Sequence, residues 1–543
     1  MSVKFSEIDG FSKLYTDYIE NYQKLSNYFA ADYREAESFL PLFQKITDSP
    51  RLHTAALKEI ITSQYKKFTP SLKTFHNLNL LDKKNTLFIT TGQQLGMFGG
   101  PLYTFYKTVT AIKLAERLSA DYPEFSFIPL FWLEGDDHDI DEVDFVQIFD
   151  EAGQTVRLLY PSELAGPDKR LTVGEIQFDD QIYQLFDELD KNLRATDFKN
   201  RLMEILRSAY FPGNNFKNAF KALMFELFDE RGLIIFDPIE PKIKNLLKPV
   251  FKNEIENYRN HMEKLIRVSA KLDEEYHAQV KIRPVNLFMK QENERFALEP
   301  DENGGFRLRR KKFSATKEEL LNTIENTPEL FSPNVLLRPI CQDFLFPTAF
   351  YIGGPGEVSY FAQVSVLYEE FGLQMPVIYP RVSATIFEKS IVHTLSKFGF
   401  TPQEVFILGD SLIEAGLKQV SELNLAAHFE RTSDSIDEAM AQLRAAIAAI
   451  DKTIADASET TKKKMLSYLG ELKNKAIDAE KRKHETSVRQ LTKVLSVVYP
   501  EKSLQEREIS FIYFANKYGL DSLKLLFNEL EHDTFEHQII TLG

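Results

Sequence analysis

The sequence predicts an α/β protein, a parallel sheet covered by helices, with a separate helical coiled-coil region. Three observations predict it. Short apolar runs alternate with helix-spaced segments from residue 87 onward. Two of those runs lead into glycine-rich turns, at 92–100 and 353–356. Farther along, Ile436, Met440, Leu443, Ile447, Ile450 and Ile454 recur at steps of four and three, which is a heptad seam.

The elements follow in order. Residues 10–80 read as helical, because Leu14, Tyr18, Tyr22 and Leu25, and then Leu52, Leu57, Ile60 and Ile61, recur at helical spacing. A strand at 87–90, a helix at 106–118 and a strand at 127–133 open the alternating core. Between 150 and 330 the pattern loosens. Short strands are expected at 156–160 and 174–178, helices at 181–208 and 216–231, and a buried strand at 233–236. Strand-like pieces at 285–290 and 306–309 flank a turn at 302–305. This stretch reads as insertions decorating the sheet. The core returns with strands at 335–338, 349–352 and 377–379 around a helix at 358–371. A second heptad run, Met465, Leu469, Leu472, Ala476 and Ala479, follows the first. Two antiparallel helices with a cap at 456–460 are the preferred reading. One continuous helix is the alternative, since no Gly or Pro forces a break. The expected segments are an N-terminal helical part at 1–80 and a core at 81–150 and 331–390. Insertions fill 151–330, the coiled-coil domain 391–500, and a C-terminal helical segment 501–543.

Composition bounds the function. At 543 residues the chain exceeds what one core holds. Sixty-six basic against 80 acidic residues give −14, which argues against a general nucleic-acid binder but leaves room for a local basic pocket. The single cysteine, Cys341, allows no intrachain disulfide and fits a reducing compartment. The N-terminus lacks the basic and apolar regions of a signal peptide, and no run approaches ~20 apolar residues. A cytoplasmic protein without membrane or nucleic-acid partners is expected. Forty-four Phe against one Trp is a choice that no sequence pattern explains.

Four clusters carry candidate chemistry. TTGQQLGMFGGPLYTFYK at 90–107 joins a strand to a helix through glycines and two adjacent amides. Such a crossover lets backbone N–H groups approach an anion. Gln93, Gln94, Gly99, Gly100, Tyr103 and Lys107 are its candidate ligand-binding residues. The second cluster, FWLEGDDHDIDE at 131–142, runs an apolar strand into seven ionisable groups. Asp137, His138 and Asp139 are candidate acid–base groups, with a metal site or a solvated loop as alternatives. In the third, Arg338, Gln342 and Asp343, the arginine suits a carboxylate or phosphate, or a structural pair with Asp343. Cys341 has no local His and reads as inert. In the fourth, Gly354 opens a helix on which Glu357, Tyr360 and Gln363, spaced by three, share a face. Arg381 closes the set. GxGxxG, GxxxxGK[ST], HExxH, GxSxG and paired CxxC are all absent.

Taken together the motifs resemble the bacillithiol biosynthesis cysteine-adding enzymes. The matching stretches are TGQQLGMFGGPLYTFYK at 91–107, FWLEGDDHDIDEV at 131–143, RPICQDFLFPTAFYIGGPGEVSYFAQ at 338–363, MPVIYPRVS at 375–383 and LQERE at 504–508. They stand in the family's order and extend nearly end to end. Asp136 stands where the family more often has Glu, a shorter reach with the same charge. The resemblance implies a Rossmann-like core with connecting-peptide insertions and a coiled coil that pairs subunits as a homodimer. It implies amide formation between cysteine and glucosaminyl-malate, the last step of bacillithiol synthesis. A carboxylate needs activation before it acylates an amine, so ATP with Mg is the expected co-substrate. Two alternatives stand beside this: a coiled-coil protein that binds a small acid or nucleotide without turnover, and an amide ligase for a related amino sugar. They part on whether Asp137, His138, Gln93, Gln94 and Arg338 converge in one pocket.

Overall fold

The structure of the protein, a computed structural model, describes residues 1–49, 53–161, 170–420 and 425–543, so Leu52 of the expected N-terminal helices lies outside the described residues. It divides into two compact units, Met1–Thr385 with Ser503–Ile540, and Ile386–Lys502 with Thr541–Gly543.

In the first unit, β1 (Thr86–Gln94) runs into α1 (Leu102–Asp121), and β2 (Ser126–Glu134) returns beside β1. Leu87, Phe88 and Ile89 are buried, as expected for a strand covered on both faces. β3 (Ile234–Phe236) follows after the hairpin Phe145–Phe149/Thr155–Leu159 and a helical stretch. An antiparallel insertion contributes β4 (Leu287–Gln291), β5 (Glu294–Pro300), β6 (Phe306–Leu308) and β7 (Phe331–Pro333). Then come α2 (Arg338–Leu345), β8 (Thr348–Gly353), α3 (Pro355–Glu370) and β9 (Val377–Pro380).

The main sheet has the order β9-β8-β1-β2-β3, and every pair in it is parallel. Strand order reverses between β1 and β8. In open parallel sheets the crevice beyond the carboxyl ends at such a reversal is where ligands bind. β1 and β2 pair in register from Thr86↔Ser126 to Gln94↔Glu134, so their ends finish level. That register sets Gln94 beside Glu134 at the rim.

Three elements differ from expectation. The apolar run at 335–337 is not a strand. The side chain of Asn334 accepts the Leu336 and Leu337 N–H groups at 3.0 Å, and Pro339 sits in the first turn, where its missing N–H costs nothing. A helix therefore starts at Arg338. The expected strand at 174–178 is one 3-10 turn, Val173–Glu175, with a single bridge from Gln177 to Asn215. β3 lies inside the stretch read as insertions, yet it is the edge strand of the main sheet.

The N-terminal helices supply a reason for the phenylalanines. Phe43, on the helix Phe39–Asp48, meets Tyr122, Phe125, Phe127 and Phe350 edge-on, with centroids 5.2–6.1 Å apart. Edge-to-face rings fill the space between helix and sheet without a polar atom to satisfy, which Trp would bring.

In the second unit, α4 (Leu425–Ala448) and α5 (Lys452–Lys483) form a hairpin. Ion pairs Arg444–Asp456 (3.3 Å) and Lys462–Asp437 (3.0 Å) set the helices antiparallel. The break falls at 449–451, earlier than the cap expected at 456–460. Asp451 accepts the Ile454 N–H at 3.4 Å and so caps α5. No helix among the described residues is long and apolar enough to cross a membrane.

Candidate active site

A cavity of about 1180 Å³ opens beyond the carboxyl ends of β1, β2 and β8. Gln93, Gln94, Asp137, His138 and Arg338, named from three separate stretches of sequence, all line it, with Tyr103, Lys107, Gly354, Glu357, Tyr360 and Arg381. The convergence that separates an enzyme-like pocket from scattered surface features is therefore present.

The wall at the sheet ends is a set of closed pairs. The Lys107 ammonium donates to the Gly92 carbonyl and Gln93 Oε1, both at 2.9 Å, and pairs with Glu357 at 2.5 Å. Burial pushes the Lys107 amine down, with Glu357 opposing. Burial would raise Glu357, but Lys107, the Gly354 N–H and the Tyr351 hydroxyl outweigh it and hold the carboxyl low. Gln93 donates to Tyr103 at 3.1 Å. Arg381 donates to Glu506 at 2.7 Å, and that carboxylate also accepts from Ser383 and from the Ala384 N–H, each at 2.9 Å. Glu506 belongs to the LQERE stretch, which explains why it matters far from the other motifs; its neighbour Arg507 lines the cavity.

Asp137 is gripped from several sides. Its carboxylate accepts from Gln94 at 2.8 Å and from the His138 N–H at 2.7 Å, and Arg295 lies 3.6 Å away. Burial pushes its pKa up, but His138, Arg295 and Gln94 together hold it well below the usual carboxylate range. His138 is not wrapped by carboxylates alone, as its sequence neighbours implied. Arg170 stands 3.1 Å from Nε2 and Arg295 3.3 Å from Nδ1. Guanidinium only donates, and a neutral imidazole accepts at one nitrogen, so only one of these contacts is a hydrogen bond.

Several expected residues stand outside the lining. Asp139 is exposed at the start of the turn Ile140–Glu142. Gly99 and Gly100 serve the turn, not a ligand: both have positive φ, and a Cβ on Gly99 would come within 2.8 Å of the Phe511 ring. The glycine cradle expected at 92–100 thus reduces to Gly92. The Gly354 N–H is likewise taken, by Glu357 at 2.8 Å. Gln342 accepts from Arg338 at 2.9 Å and donates to Asp343 at 2.8 Å, so the Arg338–Asp343 pairing runs through Gln342. Burial pushes the Asp343 carboxyl up to about 6. Gln363 holds the backbone of Val280 by two bonds of 2.9 Å and so fixes the segment that forms the opposite wall. Asp136 is spent on a buried ion pair with Lys244, and burial pushes the Cys341 thiol up, leaving it inert.

The opposite wall was not legible in the motifs. It comes from residues 279–284 and the strands β5 and β6. Lys281, Arg283, Arg309 and Arg310 face the cavity with Glu299 as their acidic neighbour. Arg283 and Arg310 make no ion pair with a carboxylate among the described residues. Burial and Arg309 push the Arg283 guanidinium below its ordinary range. Among the described lining residues ten are Lys or Arg and four are Asp or Glu, in a chain whose net charge is −14. Glu134, the last residue of β2, was also missed. Its side chain is 24% exposed, yet its Oε2 is shielded and has no hydrogen-bond partner. Burial pushes its carboxyl up to about 7 against the pull of Arg338. Among the described residues no group of three His, Cys, Asp or Glu is placed to hold a metal ion.

Comparison with known proteins agrees with this architecture. Residues 1–382 match the family model for the bacillithiol biosynthesis BshC N-terminal Rossmann-like domain, and residues 384–542 match that for the BshC C-terminal coiled-coil domain. A Salinibacter ruber protein is 33% identical over 98% of this chain and 97% of its own length, and one from Chloroherpeton thalassium is 34% identical over 98% and 96%. A Christiangramia forsetii relative is 26% identical over 100% and 99%. Each carries the name "Putative cysteine ligase BshC". With both halves matched and the parallel sheet, insertions and coiled-coil hairpin in place, the chain belongs to the BshC family of bacillithiol biosynthesis.

Proposed function

We propose that the chain is a cysteine ligase that joins the carboxyl of cysteine to the amine of glucosaminyl-malate. The observation that carries this reading is the excess of cations over carboxylates around a cavity at the strand-order reversal. Glucosaminyl-malate brings two malyl carboxylates and an amine, and the cavity offers partners for both. Lys107 and Arg381 are already neutralised by Glu357 and Glu506. The malyl carboxylates therefore fall to Arg283 and Arg310, with Arg338 facing inward. Charge-assisted and bidentate contacts are the strong ones for such groups.

ATP supplies the activation that turns the cysteine carboxylate into an acyl donor. Mg²⁺ travels on its phosphates rather than in a protein cage. Asp137 and His138 orient the amine, Asp137 as a fixed anion. The chain works as a cytoplasmic homodimer through the α4–α5 hairpin. Leu443, Ile450, Ile454, Met465 and Leu472 are 43–85% exposed there, apolar surface that a second copy would cover. Light scattering should give twice the monomer mass.

The test is incubation with cysteine, glucosaminyl-malate and each nucleotide, reading product by mass. Product only with ATP and Mg²⁺ is expected. Product without nucleotide contradicts the ATP step alone. Tight binding with no product under any nucleotide contradicts the ligase reading and favours a small-ligand binder.

A further inference from the structure

We propose that Glu134 is the proton acceptor of the coupling step, taking the proton that the amine nitrogen sheds as the amide forms. This rests on the ligase reading above. Among the carboxylates of the cavity, Glu357 is engaged by Lys107, Tyr351 and the Gly354 N–H. Asp137 is engaged by Gln94, His138 and Arg295, and Glu299 by Arg307 and Arg309. Glu134 Oε2 alone among them is shielded from water and without a hydrogen-bond partner. Its nearest cation, Arg338 Nε, is 3.9 Å away, too far for a hydrogen bond. An unmatched buried acceptor is costly, and an amine or ammonium donor arriving in the cavity relieves that cost.

Position supports the role. Glu134 ends β2, level with Gln94 at the end of β1. Asp136 and Asp137 face it from its own loop, Arg338 from α2 and Arg295 from β5. Burial and the two aspartates raise its carboxyl and the two arginines lower it, leaving it at about 7. A base with a pKa near working pH is the effective one. Asp137, held low by its donors, is a weak base and keeps the orienting role.

The step balances simply. The neutral amine nitrogen attacks the carbonyl carbon of the activated cysteine, an acyl phosphate or acyl adenylate. The C–N bond forms, and the C–O bond to the phosphoryl oxygen breaks with the electron pair leaving on that oxygen. The one excess proton on nitrogen moves to Glu134 Oε2 and from there to solvent through the cavity mouth.

The test uses the full chain with Glu134→Gln and Glu134→Asp. Thermal melting reads the carboxyl independently of turnover: E134Q should melt above the wild type at about pH 8.5 and level with it at about pH 5. A melting difference that does not change with pH overturns the proposal. In the coupling assay, E134Q should lose at least about 100-fold in kcat with KM for glucosaminyl-malate within about threefold. The rising limb of the wild-type pH profile near 7 should vanish with it. E134D, the conservative variant, should recover part of the rate with a displaced limb. E134Q that keeps both rate and limb overturns the proposal while the ligase reading stands. A wild type that makes no product under any nucleotide overturns the ligase reading, and the proposal with it, whatever the melts show.

Discussion

The two walls of the cavity are built on opposite electrostatic plans. At the sheet ends, Lys107 meets Glu357 and Arg381 meets Glu506, so both of these buried cations find a partner inside the fold. Across the cavity, Arg283 and Arg310 have no ion-paired carboxylate of their own among the described residues, and the Arg309 charge presses on Arg283. A paired buried charge fixes geometry; breaking the pair leaves an ion stranded away from water. An unpaired charge at a cavity face is instead free to meet a ligand. On the proposed function, the first wall positions and the second binds. Each wall predicts a different loss on mutation: stability from the first, affinity from the second.

The largest effect should come from the positioning wall. Glu506→Gln leaves the buried Arg381 guanidinium without its counter-charge and should cost about 3–5 kcal/mol, read as a depressed melting temperature. An unchanged melt would erase the distinction between the walls.

Next comes a pH response behind the same wall. His537 lies fully buried between Ser383 (2.8 Å) and Thr385 (2.8 Å), and burial pushes its imidazole down from 6.5 to about 4. The unfolded chain takes up the proton first, so stability is full above 6.5 and drains as pH falls through 4, by about 3 kcal/mol. Glu134 runs the other way: raised from 4.5 to about 7, it favours the fold below 4.5 and loses that contribution as pH rises through 7. Denaturant titrations across pH should show His537→Asn blunting the acid loss and E134Q blunting the alkaline one.

The binding wall should respond differently. Arg283→Ala or Arg310→Ala should weaken glucosaminyl-malate binding by about 1.5–3 kcal/mol, with melting unchanged for Arg310→Ala and unchanged or raised for Arg283→Ala, where the repulsion with Arg309 is gone. Calorimetry and melts on the same samples separate the two terms. The smallest effect belongs to Asp139→Ala, exposed and outside the lining, which should stay within about 0.5 kcal/mol in stability and near wild-type turnover.

These contrasts also show what the sequence could disclose. The strands and helices around 87–133 and 349–379 were readable because apolar runs and helical spacing are local signals. Gln93, Gln94, Lys107, Asp137, His138, Arg338, Glu357 and Arg381 were readable because they follow such elements. Their partners were not, because pairing is decided by strand order, and nothing local says that the strand after Leu345 lies beside β1. The glycines at 99 and 100 looked like an anion cradle, whereas the fold needs them for positive φ, with Gly99 packed against Phe511. Arg283 and Arg310 sit in an antiparallel insertion with no motif, and their lack of a counter-charge exists only in three dimensions. Glu134 looked like one carboxylate in an acidic run until register placed its oxygen at the cavity floor.

On the proposed function, the unpaired arginine wall recognises the dicarboxylate of glucosaminyl-malate. Titration calorimetry with glucosaminyl-malate and with the same amino sugar lacking the malyl group, on wild type and R283A/R310A, tests it most directly. Wild type should prefer the malyl sugar at least about tenfold, and the double variant should lose the preference while keeping its melting temperature. Equal affinity of wild type and double variant for the malyl sugar would contradict it.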